Sequence, residues 1–437
     1  MLDRHAWALL RRLTGWLDQF KDCFGHRAQH VSLRQYIDGL LGDSARKSMA
    51  AMLARVSDPT SYQAFQHFIT HAPWDAEAVW RRLRRVCPER TGILILDETS
   101  FPKSGSHSVG VARQYCGALG KVANCQVAVT AALWTGVRAW CLGAVLYLPE
   151  EWLTPQARAR ARIPSTIRFH EKWRLALRLL RQARASGLSL TAVLADAEFG
   201  DVTAFRTALH RLRLPYAVGI SSHLTVFATR PRLVAPAPTR RGRPRTRARM
   251  VRPIPAIAVR TLIAQQPRTA WRRVTWRNGT RPRRAARFVA LRVTPAHDWR
   301  DARLAPEVWL LCEAEGDRTP RLKYYFVNLP ASASVRAQVR LTHQRWAIEQ
   351  QYQELKTELG FDHFEGRTWP GWQHHVVLTA VAHAYIQRER LRRGAAGLTF
   401  PAVRAIVQEI FTALLFAAKP RYMHWMEQAQ RNLQLRI

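Results

Sequence analysis

Up to about residue 88 the apolar positions recur every three or four residues. Trp7, Leu10, Leu13, Leu17 and Phe20 form one such stripe, and Leu33, Tyr36, Ile37, Leu40 and Leu41 form another. A stripe of that period buries one side of a helix. Asp58-Pro59-Thr60 carries residues that open a helix, ahead of Tyr62, Phe65 and Phe68. Trp74-Asp75 opens a further one through Val79, Trp80 and Leu83. The pattern predicts an all-helical, Arg-rich segment, serving either as scaffold or as a recognition unit.

The period then changes. Gly92-Ile93-Leu94-Ile95-Leu96-Asp97 is a short continuous apolar run, the mark of a strand covered on both faces. Gln126 to Trp134 and Trp140 to Leu148 read as two more strands, joined by a turn near Thr135-Gly136. Residues 168–185 read as a helix, Leu190 to Asp196 as a strand, Val202 to Leu212 as a helix and Tyr216 to Ile220 as a fifth strand. This is the element order of a ribonuclease-H-like mixed sheet with flanking helices, a fold of the α/β class. The helix that should close it comes only after a long interruption. That interruption starts with the Pro- and Arg-rich PAPTRRGRPRTRARMVRP and continues with short strand-like runs at Trp271 to Trp276, Arg287 to Val293, Val308 to Ala314 and Lys323 to Leu329. The expected organisation is a helical N-terminal domain (1–88), a first core part (89–220), a β-rich insertion (221–330), a second core part (331–390) and a helical tail (391–437).

Charge narrows the class of partner. The 437 residues carry 68 Lys and Arg against 31 Asp and Glu, a net +37. Part of the Arg excess fits a GC-rich genome, yet such a charge still calls for a polyanion, and nucleic acid leads. Cys23, Cys87, Cys116, Cys125, Cys141 and Cys312 show no CxxC pair and no zinc spacing, so they read as reduced thiols of a cytosolic protein. The start, MLDRHAWALLRRL, has Asp and Arg inside its apolar period and reads as no signal peptide. No uncharged apolar stretch reaches about 18 residues, so no membrane span is expected.

Asp97 and Asp196 each end a predicted buried strand. A third acid, Glu349, lies in RWAIEQQYQELKTELGFDHFEGR, which reads as one helix. At roughly 3.6 residues per turn, Arg345, Glu349 and Lys356 share a face of it. Phosphoryl transfer on DNA is well served by two Mg²⁺ ions roughly 3.5–4 Å apart, and Mg²⁺ prefers oxygen ligands. A lone Asp after a strand is more often a turn or helix cap, Glu98, Glu198 and Asp201 are rival acids, and Arg345–Glu349 alone is an ordinary i,i+4 pair. The joint pattern is what points to a metal-dependent enzyme acting on DNA.

On these residues the chain resembles the DDE-type insertion-sequence transposases that carry a Tyr-Arg-Glu-Lys signature around the third acid. The first block is LDETSFPKSGSHSVGVARQYCGALGKVANCQVAV, with Asp97, Pro102, Lys103, Gly105, Ser108 to Val111, Arg113 to Tyr115, Gly117 and Asn124 to Gln126. The second is LADAEFGD, with Asp196 and Gly200. The third is Arg345, Glu349 and Lys356, followed by Gly360, Asp362, Glu365, Gly366 and Arg367. YIDGLLGDSARKS near the start is also similar. One position departs: the signature's Tyr falls at Thr342, and Tyr352 lies in a different turn.

The resemblance implies that Asp97, Asp196 and Glu349 hold Mg²⁺, with Mn²⁺ as a substitute. It implies that Arg345 and Lys356 grip backbone phosphate, Arg as a fork and Lys as a point charge, with Lys103 a further phosphate contact. It implies terminal inverted repeats and target DNA as partners, a homodimer bridging two ends, and a bacterial, nucleoid-associated location. Trp271 and Trp276, in the insertion, could stack on a flipped base as in hairpin-forming relatives, although strand tryptophans usually fill a core. Arg241-Gly242-Arg243-Pro244 resembles an AT-hook, with a basic linker as the plainer reading.

Two rivals stay open. One is a DNA-binding protein or repressor without catalysis, which intact acids argue against. The other is a tyrosine recombinase, for which His210-Arg211-Leu212-Arg213 matches the middle element by letter and Tyr422 is the late tyrosine.

Overall fold

A computed structural model describes residues 4–234, 247–277, 284–301, 303–316, 320–395, 397–419 and 424. It begins with α1 (Arg4–Asp18), α2 (Arg27–Leu41), α3 (Met49–Ala54), α4 (Tyr62–Thr70) and α5 (Ala76–Val86). Ser48, Ser61 and Asp75 cap the last three, each accepting from a backbone N–H of the first turn. The α4 start therefore lies at Ser61 rather than at Asp58-Pro59-Thr60. Thr60 instead donates through its backbone N–H and hydroxyl to Gln35.

Strands β1 (Thr91–Pro102), β2 (Ala112–Cys116), β3 (Lys121–Trp134) and β4 (Ala139–Leu146) follow. After α6 (Pro155–Ala161) and α7 (Lys172–Ala185) come β5 (Ser189–Ala195), the short α8 (Ala197–Gly200), α9 (Thr203–Arg211) and β6 (Tyr216–Ile220). β1 and β3 outrun the apolar stretches that announced them. β2 had no such announcement, because Arg113, Gln114 and Tyr115 fit no apolar run. β5 lies parallel to both β1 and β6, and β3 lies antiparallel to β1. β3 then pairs with β4 along its inner half and with β2 along its outer half.

The interruption holds β7 (Thr225–Phe227), β8 (Leu233–Val234), β9 (Arg249–Met250), β10 (Ile257–Ala258), α10 (Val259–Ala264), β11 (Arg272–Arg277), β12 (Arg284–Pro295), β13 (Val308–Glu315) and β14 (Arg321–Val327). It is β-rich; most of its strands join the core sheet, while β8 and β9 pair with each other as a separate two-stranded sheet. β14 pairs antiparallel with β6, and among the described residues one twelve-stranded sheet runs from β10 to β2.

The chain closes with α11 (Val335–His343), α12 (Trp346–Gln353), a π-helical turn at Glu354–Glu358, α13 (Trp369–Glu389) and α14 (Phe400–Ala418). The stretch from Arg345 is thus not one regular helix. It widens at Glu354 and ends at Gly360, whose φ is +68°. α13 is buried nearly all round, which suits a helix enclosed by other elements. Trp16 donates to the Val381 carbonyl at 3.2 Å, and Arg12 pairs with Glu389 at 2.7 Å. His374 contacts the carbonyls of Ile69 and Trp74 at 2.7 and 3.0 Å. The leading helices are therefore built onto a helix near the other end of the chain, within one continuous apolar core.

α14 is long and apolar enough to cross a membrane by length and composition alone. It carries Arg404 and Glu409, and Arg404 is paired with Glu358 at 2.8 Å. Phe400, Val403, Val407, Phe411 and Leu415 are buried against the rest of the protein.

Candidate active site

Two strands bring the first two acids together. β1 and β5 are parallel, with Ile95 opposite Leu194. Two residues past that last pair, on the face that carries Ile95 and Leu194, come Asp97 within β1 and Asp196 just beyond the end of β5. α12 covers that face, because Ala347 and Ile348 pack into the cluster formed by Ile95, Leu194, Phe288 and Leu311. Glu349 is the next residue along. The third acid is thereby presented at the edge of a packed helix, with its side chain 66% exposed.

The fixing of Asp196 depends on a close backbone approach. Its Oδ1 accepts from the N–H groups of Glu198 and Phe199 at 3.1 and 3.4 Å, so it does cap α8. α8 in turn lies directly on β6. A Cβ at Gly200 would come within 1.8 Å of the Gly219 carbonyl oxygen, so only glycine fits. The capping role and a site role coexist, since the capping bonds engage Oδ1.

Arg345 joins the acids. Its Nη1 donates to Asp97 Oδ2 at 3.0 Å, and its Nη2 donates to Glu349 Oε1 at 3.2 Å. Asp97 is 7% exposed. Burial pushes its carboxyl up to about 7; Arg345 opposes that rise and Asp196 adds to it. Asp196 is raised for the same first reason, again against Arg345. Burial disfavours the Arg345 cation, yet Asp97, Glu349 and Asp196 together hold its pKa above the ordinary value. The guanidinium expected to face phosphate is thus engaged by two of the acids. Among the described residues no three His, Cys, Asp or Glu side chains stand close enough to hold one metal ion.

Behind the acids is a second cluster that the sequence did not bring out. Lys172, at the start of α7, places its Nζ 2.7 Å from Glu98 Oε2 and 2.7 Å from Glu198 Oε1. It links the residue after Asp97 to the helix that Asp196 caps. Burial raises Glu98 to about 7, with Lys172 opposing. Asp201, the other rival acid, accepts from the Ser221 N–H at 2.8 Å and so is used structurally. No sequence signal marks Lys172, which is far from either acid along the chain.

The remaining candidates divide. Lys356 does not line up beneath Glu349, because the π turn alters the helical phase. Its Nζ donates to the Ser100 carbonyl at 2.9 Å and lies over the Phe101 ring, and it makes no ion pair with either acid. Lys103 donates to the Phe364 carbonyl at 2.6 Å. It lines a cleft of about 360 Å³ with Arg46, His107, His363 and Arg367. Trp276 is half-buried, stacked on His343 at 4.0 Å and edge-on to Phe288. Trp271 is half-buried against the main core. Both rings thus pack in part against core clusters in this structure. Arg241 and Arg243 lie outside the described residues, as does Tyr422. Thr342 bonds back to the Gln338 carbonyl, while Tyr352 reaches the site region from the next helix. The Tyr352 hydroxyl is 2.5 Å from Thr130 Oγ1, and Thr130 is the cross-strand partner of Asp97. His210 is bonded to the Tyr216 hydroxyl at 2.9 Å, a packing role.

The chain is 35% identical over 191 residues to a protein of Microchaete diplosiphon named "Probable transposase for insertion sequence element IS701". That match takes in 42% of this chain and spans about half (47%) of the relative's length. The family profile described as DDE superfamily endonuclease matches residues 19–283. Asp97, Asp196, Lys172 and most of the sheet lie inside that match, while Glu349 lies beyond it. Because the profile takes in more than half of the sequence, the chain belongs to the DDE superfamily endonucleases.

Proposed function

We propose that this protein is a DNA transposase with a ribonuclease-H-like catalytic core. In this reading it binds the terminal inverted repeats of its own element, hydrolyses the end phosphodiester and joins the freed 3′-hydroxyl to target DNA. The observation that supports the reading is that Asp97 and Asp196 lie just past the paired stretch of the parallel strands β1 and β5, within electrostatic reach of each other, with Arg345 bonded to both Asp97 and Glu349. The strand order β6-β5-β1-β3-β4, antiparallel only beyond β1, supports the ribonuclease-H-like assignment. The net charge of +37 supports a DNA substrate.

By the chemistry of their oxygens the acids suit Mg²⁺, with Mn²⁺ able to substitute, although the three do not converge on one point among the described residues. Asp97 and Asp196 offer hard carboxylate oxygens, and burial has raised both pKa values, so the pair is short of positive charge. Asp97, Asp196 and Glu349 would hold the ion, which when bound polarises the phosphate and activates the attacking oxygen. Arg345 supplies a cation to these acids in its absence. With the acids engaged elsewhere, the Arg345 fork is free to take a phosphate in two parallel bonds. Lys356 and Lys103 would add point charges along the same strand. Two copies of the chain would bridge two ends.

The test is cleavage of a duplex carrying the repeat that flanks the gene. The reading expects a nick at the repeat end that leaves a 3′-hydroxyl, needs Mg²⁺ or Mn²⁺ and stops on chelation. Binding without cleavage in either metal would mark an end-binding repressor. A covalent protein–DNA adduct would mark a tyrosine recombinase.

A further inference from the structure

The hairpin β2–β3 extends the sheet well past the acids, and one of its faces is bare. Its inner face is fixed: Cys116, Cys125 and Val127 form a small core of their own against Tyr147. Ser100 Oγ accepts from the Ala118 N–H at 3.0 Å and so pins the turn. On the opposite face Tyr115 is 58% and Val122 53% exposed, and Leu119 in the turn is 49% exposed. These three lie within eight residues, the densest group of large exposed apolar side chains among the described residues.

Register relates that face to the acids. Thr130 of β3 is the direct partner of Asp97, and Val122 is the partner of Tyr115. Thr130, Ala128, Gln126, Asn124 and Val122 alternate onto one side of β3. Asp97, Tyr115, Val122 and Arg113, the partner of Asn124, therefore share a face of the sheet. Over Phe101 that face is covered by Phe361 and Trp372; beyond it the cover ends. Asn124 Nδ2 donates to the carbonyls of Lys103 and Gly105 at 2.9 and 2.8 Å, which braces the loop between.

The charge on this stretch has one sign. Within the hairpin Arg113 and Lys121 are the charged residues, and no Asp or Glu occurs between Glu98 and Glu150. A rigid two-stranded ribbon with exposed aromatic and aliphatic side chains and only positive charges is suited to a DNA groove. We infer that the open face of the hairpin, with Arg113, Tyr115, Leu119 and Val122, is a contact site for duplex DNA, held on the same side of the sheet as Asp97. The inference rests on the reading of Asp97 as a catalytic acid. Eight residues of β3 separate Thr130 from Val122, about 26 Å at about 3.3 Å per residue. At about 3.4 Å per base pair, the contact falls about eight base pairs from the cleaved phosphate.

The experiment compares the full-length protein with its R113S/Y115S/V122S variant on a duplex carrying the terminal repeat. All three positions are solvent-exposed, so the melting temperature should match wild type. The expected result is about tenfold weaker binding and loss of hydroxyl-radical protection about eight base pairs from the cleavage position. Unchanged affinity with unchanged protection would overturn the inference. So would a variant that binds normally per protomer but loses a wild-type dimer in sedimentation, since the face would then join two copies of the chain. Asp97→Asn protein in the same assay keeps the two readings apart. If it still cuts, the assignment of the acids has failed; if it binds without cutting while the hairpin variant binds like wild type, only the hairpin inference has failed.

Discussion

Arg345 donates to Asp97 Oδ2 at 3.0 Å across 248 positions of sequence, from the start of the helix that carries Glu349 to the middle of β1. The contact closes the site electrostatically when no other cation is present. It also sets the guanidinium between Asp97 and Glu349. Loss of its planar fork should therefore be felt in catalysis more than in folding. Arg345→Lys keeps the charge but not the two-pronged geometry. Cleavage of the repeat end should fall at least about tenfold, which is about 1.4 kcal/mol of transition-state stabilisation, with the melting temperature little changed. Cleavage kinetics on the purified variant check this.

The pKa of Asp97 gives a pH signature. Its folded-state value is raised to about 7 from an ordinary 3.8. The native state therefore binds more protons than the unfolded chain between those values, and the stability from this group falls as pH rises through that window. Asp97→Asn removes the dependence. Without metal, the variant should gain in melting temperature over wild type on going from pH 5 to pH 8. Thermal unfolding at both pH values measures the difference, and Mg²⁺ should narrow it by stabilising wild type only.

Lys172 should matter through charge balance. Lys172→Met leaves Glu98 and Glu198 facing each other beside Asp97 and Asp196, and a partly buried carboxylate without a partner is costly. The variant should unfold at a lower temperature at pH 8. Adding Glu98→Gln should restore much of the loss, a coupling that a double-mutant cycle of Lys172→Met and Glu98→Gln reads directly.

Gly200 offers a purely steric test. Gly200→Ala drives a methyl into the Gly219 carbonyl, so α8 must shift and carry Asp196 with it. Cleavage should be lost while DNA binding persists, as a gel-shift and cleavage assay on one preparation would show.

The candidate acids stood out in the sequence for a physical reason. Strands buried on both faces read as unbroken apolar runs, and a carboxylate at the end of such a run stands out, as Asp97 and Asp196 do. Glu349 was legible through its spacing from Arg345. The relation of Lys356 to Glu349 was not, because a π turn leaves no periodic mark in the sequence. The Arg345–Asp97 and Lys172–Glu98 contacts were hidden because they join distant segments. The continuity of the sheet through β6 and β14 was hidden because backbone pairing has no side-chain code. β2 escaped notice because its exposed face is polar or isolated in the pattern, although its residues sit inside the motif that suggested the family.

The most direct test of the account is the third acid, since Glu349 lies outside the matched family region and is the most exposed of the three. The measurement is Mg²⁺-dependent cleavage of the repeat end by Glu349→Gln protein, alongside Asp97→Asn and Asp196→Asn, with end binding measured on the same samples. The account predicts that all three bind the end as wild type does and that none cleaves it. Wild-type cleavage by Glu349→Gln would contradict it, leaving Arg345 paired with an ordinary surface glutamate.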